Sequence, residues 1–166
     1  MADFIEGIYR QNEWATLRLL EACRALTDEQ LDARAVGAFG TVRETLQHFV
    51  TAEQRYVHHL GGAYDGPVVR DGDSWPGFDT LEAIARAAPP ALIERARNAT
   101  GTVTIGPADA PEVADVTVIL AQALQHSTEH RSQVCTILTT LGIEPPGLSG
   151  WDWGEATGAL VLPDRA

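Results

Sequence analysis

Apolar residues recur every three or four positions along four long segments of the chain, a spacing that places them on one face of an α-helix. The segments run from about residue 3 to 26, 41 to 60, 79 to 98 and 115 to 141. Gly61 and Gly142 follow the second and fourth segments, at positions typical of a helix end. Four such helices predict an all-α protein, an antiparallel four-helix bundle.

Three of the predicted helices begin with a short polar residue that is followed, three positions later, by a glutamate. The pairs are Asp3 with Glu6, Thr41 with Glu44, and Asp79 with Glu82. This is the spacing of a capping box, in which the polar side chain accepts a hydrogen bond from the backbone N–H three residues on. It predicts that the helices start at these residues.

Two features interrupt the helical pattern. Pro89 and Pro90 fall inside the third segment, and because proline lacks the backbone donor and clashes with the preceding turn, we expect a kink or a break there. β-Branched residues at 102–106 are able to pair with residues 112–116, which predicts a short hairpin before the last long helix.

Length and composition describe an ordinary soluble protein. The chain has 166 residues, which predicts a single domain spanning residues 1–166. A hydrophobic fraction of 45% with 21% charged residues is typical of a globular protein. No apolar run is long enough to cross a bilayer, and the first residues lack the basic and apolar regions of a signal peptide, so we expect a cytoplasmic protein without a membrane partner.

The charge balance disfavours nucleic acid as a partner. The net charge is -11, and all twelve basic residues are arginines that form no basic run. An acidic surface repels a phosphate backbone. The two cysteines, Cys23 and Cys135, lie in apolar helical stretches and are interpreted as small core residues.

The candidate chemistry starts with His126 and His130 on the fourth predicted helix. Four residues along a helix separate two side chains by about 40° around the axis and about 6 Å along it, so both rings are able to reach one atom. Such a pair is half of a site for zinc or a nickel-like ion. Taken alone, however, such a pair is more often two solvated or core histidines.

A third ligand would decide between these interpretations, and His48 is the best candidate. It lies in the middle of the second predicted helix, which is able to face the middle of the fourth helix in an antiparallel bundle. The alternative is a half-buried histidine bonded to a carbonyl. His58 and His59 lie in the last turn of their helix, where a histidine suits the negative end of the helix dipole.

Three segments carry a family pattern, namely residues 11–20, 37–57 and 125–146, and the last of them, QHSTEHRSQVCTILTTLGIEPP, is the most specific. In these segments the sequence resembles the DinB/YfiT-like family of metal-binding four-helix bundles, and the resemblance covers essentially its whole length. The resemblance implies that the metal is held by His48, His126 and His130.

One position departs from the family pattern. Many relatives have a histidine where this chain has Glu129. Glu129 is a candidate general base or an acceptor that orients a ligand. The alternative is a solvent-facing glutamate paired with an arginine.

The resemblance also implies a reaction class. Some relatives are S-transferases that use low-molecular-weight thiols such as mycothiol or bacillithiol, and others are classed as metal-dependent hydrolases. Three neutral histidines leave a divalent ion with its full charge and with open positions, which suits either chemistry. The leading hypothesis is a metal-dependent thiol transferase. The alternatives are a hydrolase that uses a bound hydroxide and a metal-dependent stress or ligand-binding protein without turnover.

Three further residues are candidates for contacts with a small-molecule substrate. Asn12 and Trp14 belong to the matching segment of the first helix, and Trp14 is a candidate wall of the metal cavity or a core aromatic. Arg131 is a candidate anchor for an anionic substrate or, alternatively, part of a structural ion pair. Because relatives often form dimers through bundle faces, the resemblance also implies a homodimer.

Overall fold

The structure is a computed structural model that describes residues 3–70 and 72–161. Its elements, in chain order, are α1 (Phe4–Arg24), α2 (Asp28–Leu31), α3 (Val42–His59), α4 (Phe78–Arg97), β1 (Thr102–Ile105), β2 (Glu112–Asp115), α5 (Val116–Thr140) and α6 (Gly150–Thr157). The predicted all-α bundle is confirmed, with α1, α3, α4 and α5 as its long helices. The predicted domain limits, residues 1 and 166, lie outside the described residues.

The helices begin where short polar residues cap them, with one exception. Asp3 accepts from the backbone N–H of Glu6, and Thr41 and Glu44 form a reciprocal capping box at the start of α3. The predicted cap at Asp79 is wrong, because α4 begins one residue earlier with Gly77 as its N-cap. Asp79 and Glu82 instead accept hydrogen bonds from Arg24 of α1.

Two further predictions concern the hairpin before α5 and the prolines inside α4. The hairpin is confirmed, since β1 and β2 pair antiparallel from Thr102 with Asp115 to Ile105 with Glu112. The helix does not break at the prolines, because α4 continues through Pro89 and Pro90 to Arg97, and the alternative of a kink there stays a prediction. Buried residues on both sides of the prolines, Ala85 and Leu92, keep the helix packed against the bundle core.

The long helices do not simply alternate in direction. Arg97 near the end of α4 binds Asp3 and Glu6 at the start of α1, so these two helices are antiparallel. The helices α3 and α5 are also antiparallel, because the start of α3 packs with the end of α5 in one apolar cluster. By contrast α3 and α4 run parallel, since the long connection of residues 60–77 returns the chain to the end at which α3 begins.

The core of the described chain has an apolar cluster at each end of the bundle and a polar layer between them. One cluster is centred on Leu19, Leu46 and Ile137, and the other on Tyr9, Val57 and Ile119. Along α1, α3 and α5 the positions between the clusters carry buried polar residues, namely Asn12, Thr16, Thr51, Glu53, Gln54, Ser127, His130 and Arg131. Within the described ranges no helix has the length and apolar content needed to cross a bilayer.

Candidate metal centre

Three histidine side chains meet beside the polar layer. His48 comes from α3, and His126 and His130 come from α5. One ring nitrogen of each lies within 4.8 Å of the others. The Nε2 atoms of His48 and His126 are 3.1 Å apart. His130 is buried, and the other two rings are half-buried.

The spacing of these donors fits a shared cation. Two nitrogens bound at 2.0–2.1 Å to one ion, at angles between octahedral and tetrahedral, lie about 2.8–3.4 Å apart. The Nδ1 atom of His126, which is the ring nitrogen that does not face His48, is buried and has no hydrogen-bond partner among the described residues. Three imidazole donors suit zinc or a nickel-like ion.

Electrostatics keep the His126 ring neutral at physiological pH. Burial, together with the positive charges that His130, His48 and Arg55 can carry, lowers the pKa of His126 to about 4. A neutral imidazole has a free lone pair, which is the form that binds a metal. Protons therefore compete with a cation for this ring only in acid.

Gln133 determines which ring nitrogen of His130 carries the proton. Its Oε1 atom lies 2.8 Å from Nδ1 of His130 and accepts a hydrogen bond from the backbone N–H of Phe39 at 3.1 Å. Because an amide oxygen only accepts, the proton of the neutral ring must be on Nδ1. The lone pair of His130 is then on Nε2. Gln133 thus plays the part of the outer partner that orients a metal-binding histidine.

Aromatic rings enclose the histidines. Phe39 stacks on His48 with centroids 4.1 Å apart and presents its edge to His130 at 5.4 Å. Tyr56 meets His126 edge to face at 5.9 Å. Phe39 itself is 55% exposed, so it forms the outer wall of the site.

A buried polar network lies on the neighbouring face of α5. Asn12 donates from Nδ2 to Oε1 of Glu53 at 2.9 Å and accepts at Oδ1 from Nη1 of Arg131 at 2.7 Å. The amide therefore joins a buried carboxyl group to a buried guanidinium. Ser127 Oγ lies 3.1 Å from the same Glu53 oxygen. Since Ser127 and Arg131 each follow a candidate ligand in the sequence, this network holds α5 in place beside the histidines.

Burial is the largest influence on the pKa values of the two charged groups in this network. It raises the pKa of Glu53 to about 7, against the lowering effects of Ser127, Arg131 and Asn12. Oε2 of Glu53 is buried without a hydrogen-bond partner in the described part of the chain. Burial also lowers the pKa of Arg131 to about 10, which leaves the guanidinium charged at neutral pH.

Comparison with known proteins identifies the family. The sequence model of the DinB family matches residues 1–158. The chain belongs to the DinB family. Solved structures similar to this DinB protein include a crystal structure, at 2.01 Å resolution, of a DinB-like protein from Bacillus cereus ATCC 10987, with a TM-score of 0.64 and 19% sequence identity. The match covers 84% of this chain and 91% of that chain. A search of curated proteins found no significant match.

In this DinB protein the remaining predicted site residues occupy three different environments. Glu129 is exposed on α5, and within the described ranges the histidine cluster contains no carboxylate. Asn12 and Arg131 are each 4% exposed and bind one another in the polar network. Trp14 lies about 200° around α1 from Asn12, on a face where the Arg18 guanidinium is 5.5 Å from its ring.

Sequence reasoning missed Gln133, which bonds to a candidate ligand, and Glu53, which lies in the neighbouring polar network. Gln133 follows His130 by three residues, which is one turn of the same helix face. Glu53 lies four residues after Phe49 and four before Val57, within the apolar stripe of α3. A glutamate inside such a stripe is a detectable signal, because its helix position predicts burial while its charge opposes it.

Proposed function

We propose that this DinB protein is a metal-dependent enzyme that transfers a low-molecular-weight thiol, of the mycothiol or bacillithiol type, to an electrophilic small molecule. The observation that carries the proposal is the convergence of His48, His126 and His130. A divalent cation of the zinc or nickel class, when bound by these rings, would lower the pKa of a coordinated thiol or water.

The residues around the cluster do the positioning. Imidazole rings bind a cation as neutral donors, so His48, His126 and His130 would leave the charge of a bound cation uncompensated. Gln133 holds the Nδ1 proton of His130 and leaves Nε2 free to bind. Phe39 and Tyr56 limit the access of water, and a low local dielectric strengthens the electrostatic effect of any charge inside.

The surroundings favour thiol transfer over hydrolysis. General-base activation of water needs a proton acceptor within hydrogen-bond reach. The described part of the cluster contains no carboxylate, and Glu129 is exposed. A free thiol has a pKa of about 8.5, far closer to neutral pH than that of free water, so it needs less help from a cation or a base to ionise. Hydrolysis and binding without turnover remain the alternatives, and the second experiment below distinguishes them from thiol transfer.

The first experiment measures the metal. Elemental analysis of the purified protein should find about one zinc- or nickel-class ion per chain. His48→Ala and His126→Ala should both lose most of that ion, whereas His58→Ala, which changes a histidine in the last turn of α3, should retain it. A full complement of metal in His48→Ala would overturn the assignment of the ligands.

The second experiment measures the reaction. Metal-replete protein is mixed with bacillithiol or mycothiol and 1-chloro-2,4-dinitrobenzene, and the thioether is followed by absorbance. A C–S bond forms, the C–Cl bond breaks, chloride leaves, and the thiol proton goes to solvent. We expect turnover with at least one thiol, and its loss in His126→Ala. Ester hydrolysis without thiol would favour the hydrolase instead, and thiol binding without product would indicate a binding protein.

A further inference from the structure

One aromatic side chain, that of Phe39, lies between the histidine cluster and solvent. Its ring stacks on His48 with centroids 4.1 Å apart and an angle of 15° between the planes, and it meets His130 at 5.4 Å nearly at a right angle. The same side chain is 55% exposed. Tyr56, which contacts His126, is half-buried. Of these two rings, Phe39 is therefore the outer one.

The backbone that carries this ring is fixed. The N–H of Phe39 donates to Oε1 of Gln133 in α5 at 3.1 Å. The N–H of Ala38 donates to the carbonyl of Ala35 at 3.2 Å, and both alanine side chains pack against an apolar cluster of the core. Any movement of the Phe39 ring is therefore a rotation of the side chain on a fixed loop.

The ring has space on its solvent side and only weak contacts on its inner side. Val36, three residues earlier in the same loop, is fully exposed. Contacts between aromatic rings are weak, and the two that Phe39 makes with His48 and His130 favour the covering position by roughly tenfold or more. Exposed side chains change rotamer within nanoseconds. The covered cluster is therefore expected to exchange rapidly with a minor, uncovered form.

The covering position is compatible with a bound cation. A metal ion lies in the plane of an imidazole ring, along the lone pair of the nitrogen that binds it. Phe39 instead lies on the face of His48, because the two rings are nearly parallel. The ring therefore obstructs the approach to the donor atoms without competing for their lone pairs.

We propose that the Phe39 side chain is the gate of the histidine centre, which closes the path from solvent to the ring nitrogens and rotates outwards to admit a cation or a substrate. Passage of a substrate rests on the proposed function, whereas control of access to the histidines does not. A gate that closes equally over the empty and the occupied site slows entry and release by the same factor and leaves the affinity unchanged. A residue that only orients a ligand changes the affinity instead.

The test measures the entry and the release of zinc separately. Entry is followed by stopped flow with a chromophoric zinc indicator, and release by transfer of zinc to an excess of chelator. In Phe39→Ala both rate constants should rise by about tenfold, while the dissociation constant stays within about threefold. Phe39→Tyr retains the ring and should keep the slow rates. Faster release with unchanged entry would show that the ring orients His48, and it would overturn the gate, as would unchanged rates.

A second measurement needs no metal. Diethyl pyrocarbonate acylates neutral imidazole rings, and mass spectrometry of the metal-free protein gives the rate at each histidine. Phe39→Ala should speed the modification of His48 by about tenfold, while the exposed His58 is modified at an unchanged rate. Phe4→Ala, the same truncation at a phenylalanine that is 79% exposed, is the control and should change neither rate.

The two measurements separate this inference from the proposed function. An unchanged rate of modification at His48 in Phe39→Ala would overturn the gate even if the protein binds zinc. Faster modification of His48 in a protein that holds no zinc would retain the gate and overturn the metal-dependent function.

Discussion

The two ring nitrogens of His130 have different environments, and this difference depends on one amide. Nδ1 faces Oε1 of Gln133, and the same oxygen is held by the backbone N–H of Phe39. Phe39, in the loop before α3, therefore holds the Gln133 oxygen that keeps the proton on Nδ1 of His130. This leaves the lone pair of His130 on Nε2. Outer partners of this kind orient the ring and raise its basicity as a ligand.

Replacing Gln133 tests this arrangement at the residue scale. Gln133→Ala should weaken zinc binding by roughly 10- to 100-fold, because the His130 ring loses the partner that fixes its tautomer. The measurement is competition with a chromophoric chelator. Thr136→Ala, an exposed change one turn along α5, is the control and should leave the affinity unchanged. Equal affinities of Gln133→Ala and Thr136→Ala would contradict the role of Gln133.

Glu53 makes stability depend on pH. Burial raises its pKa in the folded protein to about 7, above the ordinary value of 4.5. Between these two values the folded state holds a proton that the unfolded state has lost, so the free energy of unfolding falls as pH rises and levels off above pH 7. A shift of this size corresponds to about 3 kcal/mol.

Glu53→Gln should remove this dependence, because a neutral amide of the same shape retains the oxygen that accepts from Asn12. We expect the variant to be at least as stable as the unmodified chain at pH 8. The difference in unfolding free energy between the two proteins, measured in urea from pH 4.5 to 8, isolates the contribution of Glu53 from that of the histidines. Parallel curves would show that Glu53 does not take up a proton on folding. Glu129→Gln, an exposed change, is the control.

At the scale of the elements, periodicity and capping predict the long helices well and the short ones poorly. The α5 helix is predicted from residue 115 to 141 and extends from Val116 to Thr140, with Asp115 as its cap. The four residues of α2 are too few to show a period. The start of α6 does carry a signal, since Ser149 and Asp152 have capping-box spacing and form one. The wrong cap at Asp79 shows that such spacing is also produced by residues that bind another helix.

The capping box at Thr41 tests how much a helix start contributes to the whole fold. Thr41→Ala should lower the free energy of unfolding by about 1 kcal/mol, because a backbone donor at the start of α3 loses its partner. Ser149→Ala, the matched change at α6, should cost less, since this short helix contacts α1 at the edge of the bundle. Urea denaturation of both variants measures the difference. Equal losses would mean that α6 unfolds together with the bundle.

At the scale of the whole molecule, the polar residues of the candidate site lie where the apolar packing of the bundle is interrupted. Along α1, α3 and α5 the buried polar positions lie between the two apolar clusters, and His126 and His130 lie at the same level. Helix periodicity predicted that His126 and His130 share a face. It could not predict that Asn12 joins Glu53 to Arg131, because that contact depends on how three helices are rotated against each other.

The same arrangement means that a cation at the histidines would bind to two helices that are far apart in the sequence. A ligand bound only by the folded state, at a concentration 100 times its dissociation constant, adds about 2.7 kcal/mol to the free energy of unfolding. For a chain of this length that amounts to roughly 5–10 °C in Tm. Zinc at that concentration should therefore raise the Tm of the chelator-treated protein by this amount, measured by calorimetry.

His48→Ala should lose this shift, since α3 then contributes no donor to the site, while His58→Ala should retain it. The two variants remove the same side chain from one helix, so nonspecific binding of zinc to surface histidines would shift both equally. An equal shift would show that the stabilisation does not come from the cluster. A shift that is lost only with His48 links the metal to the packing of α3 against α5.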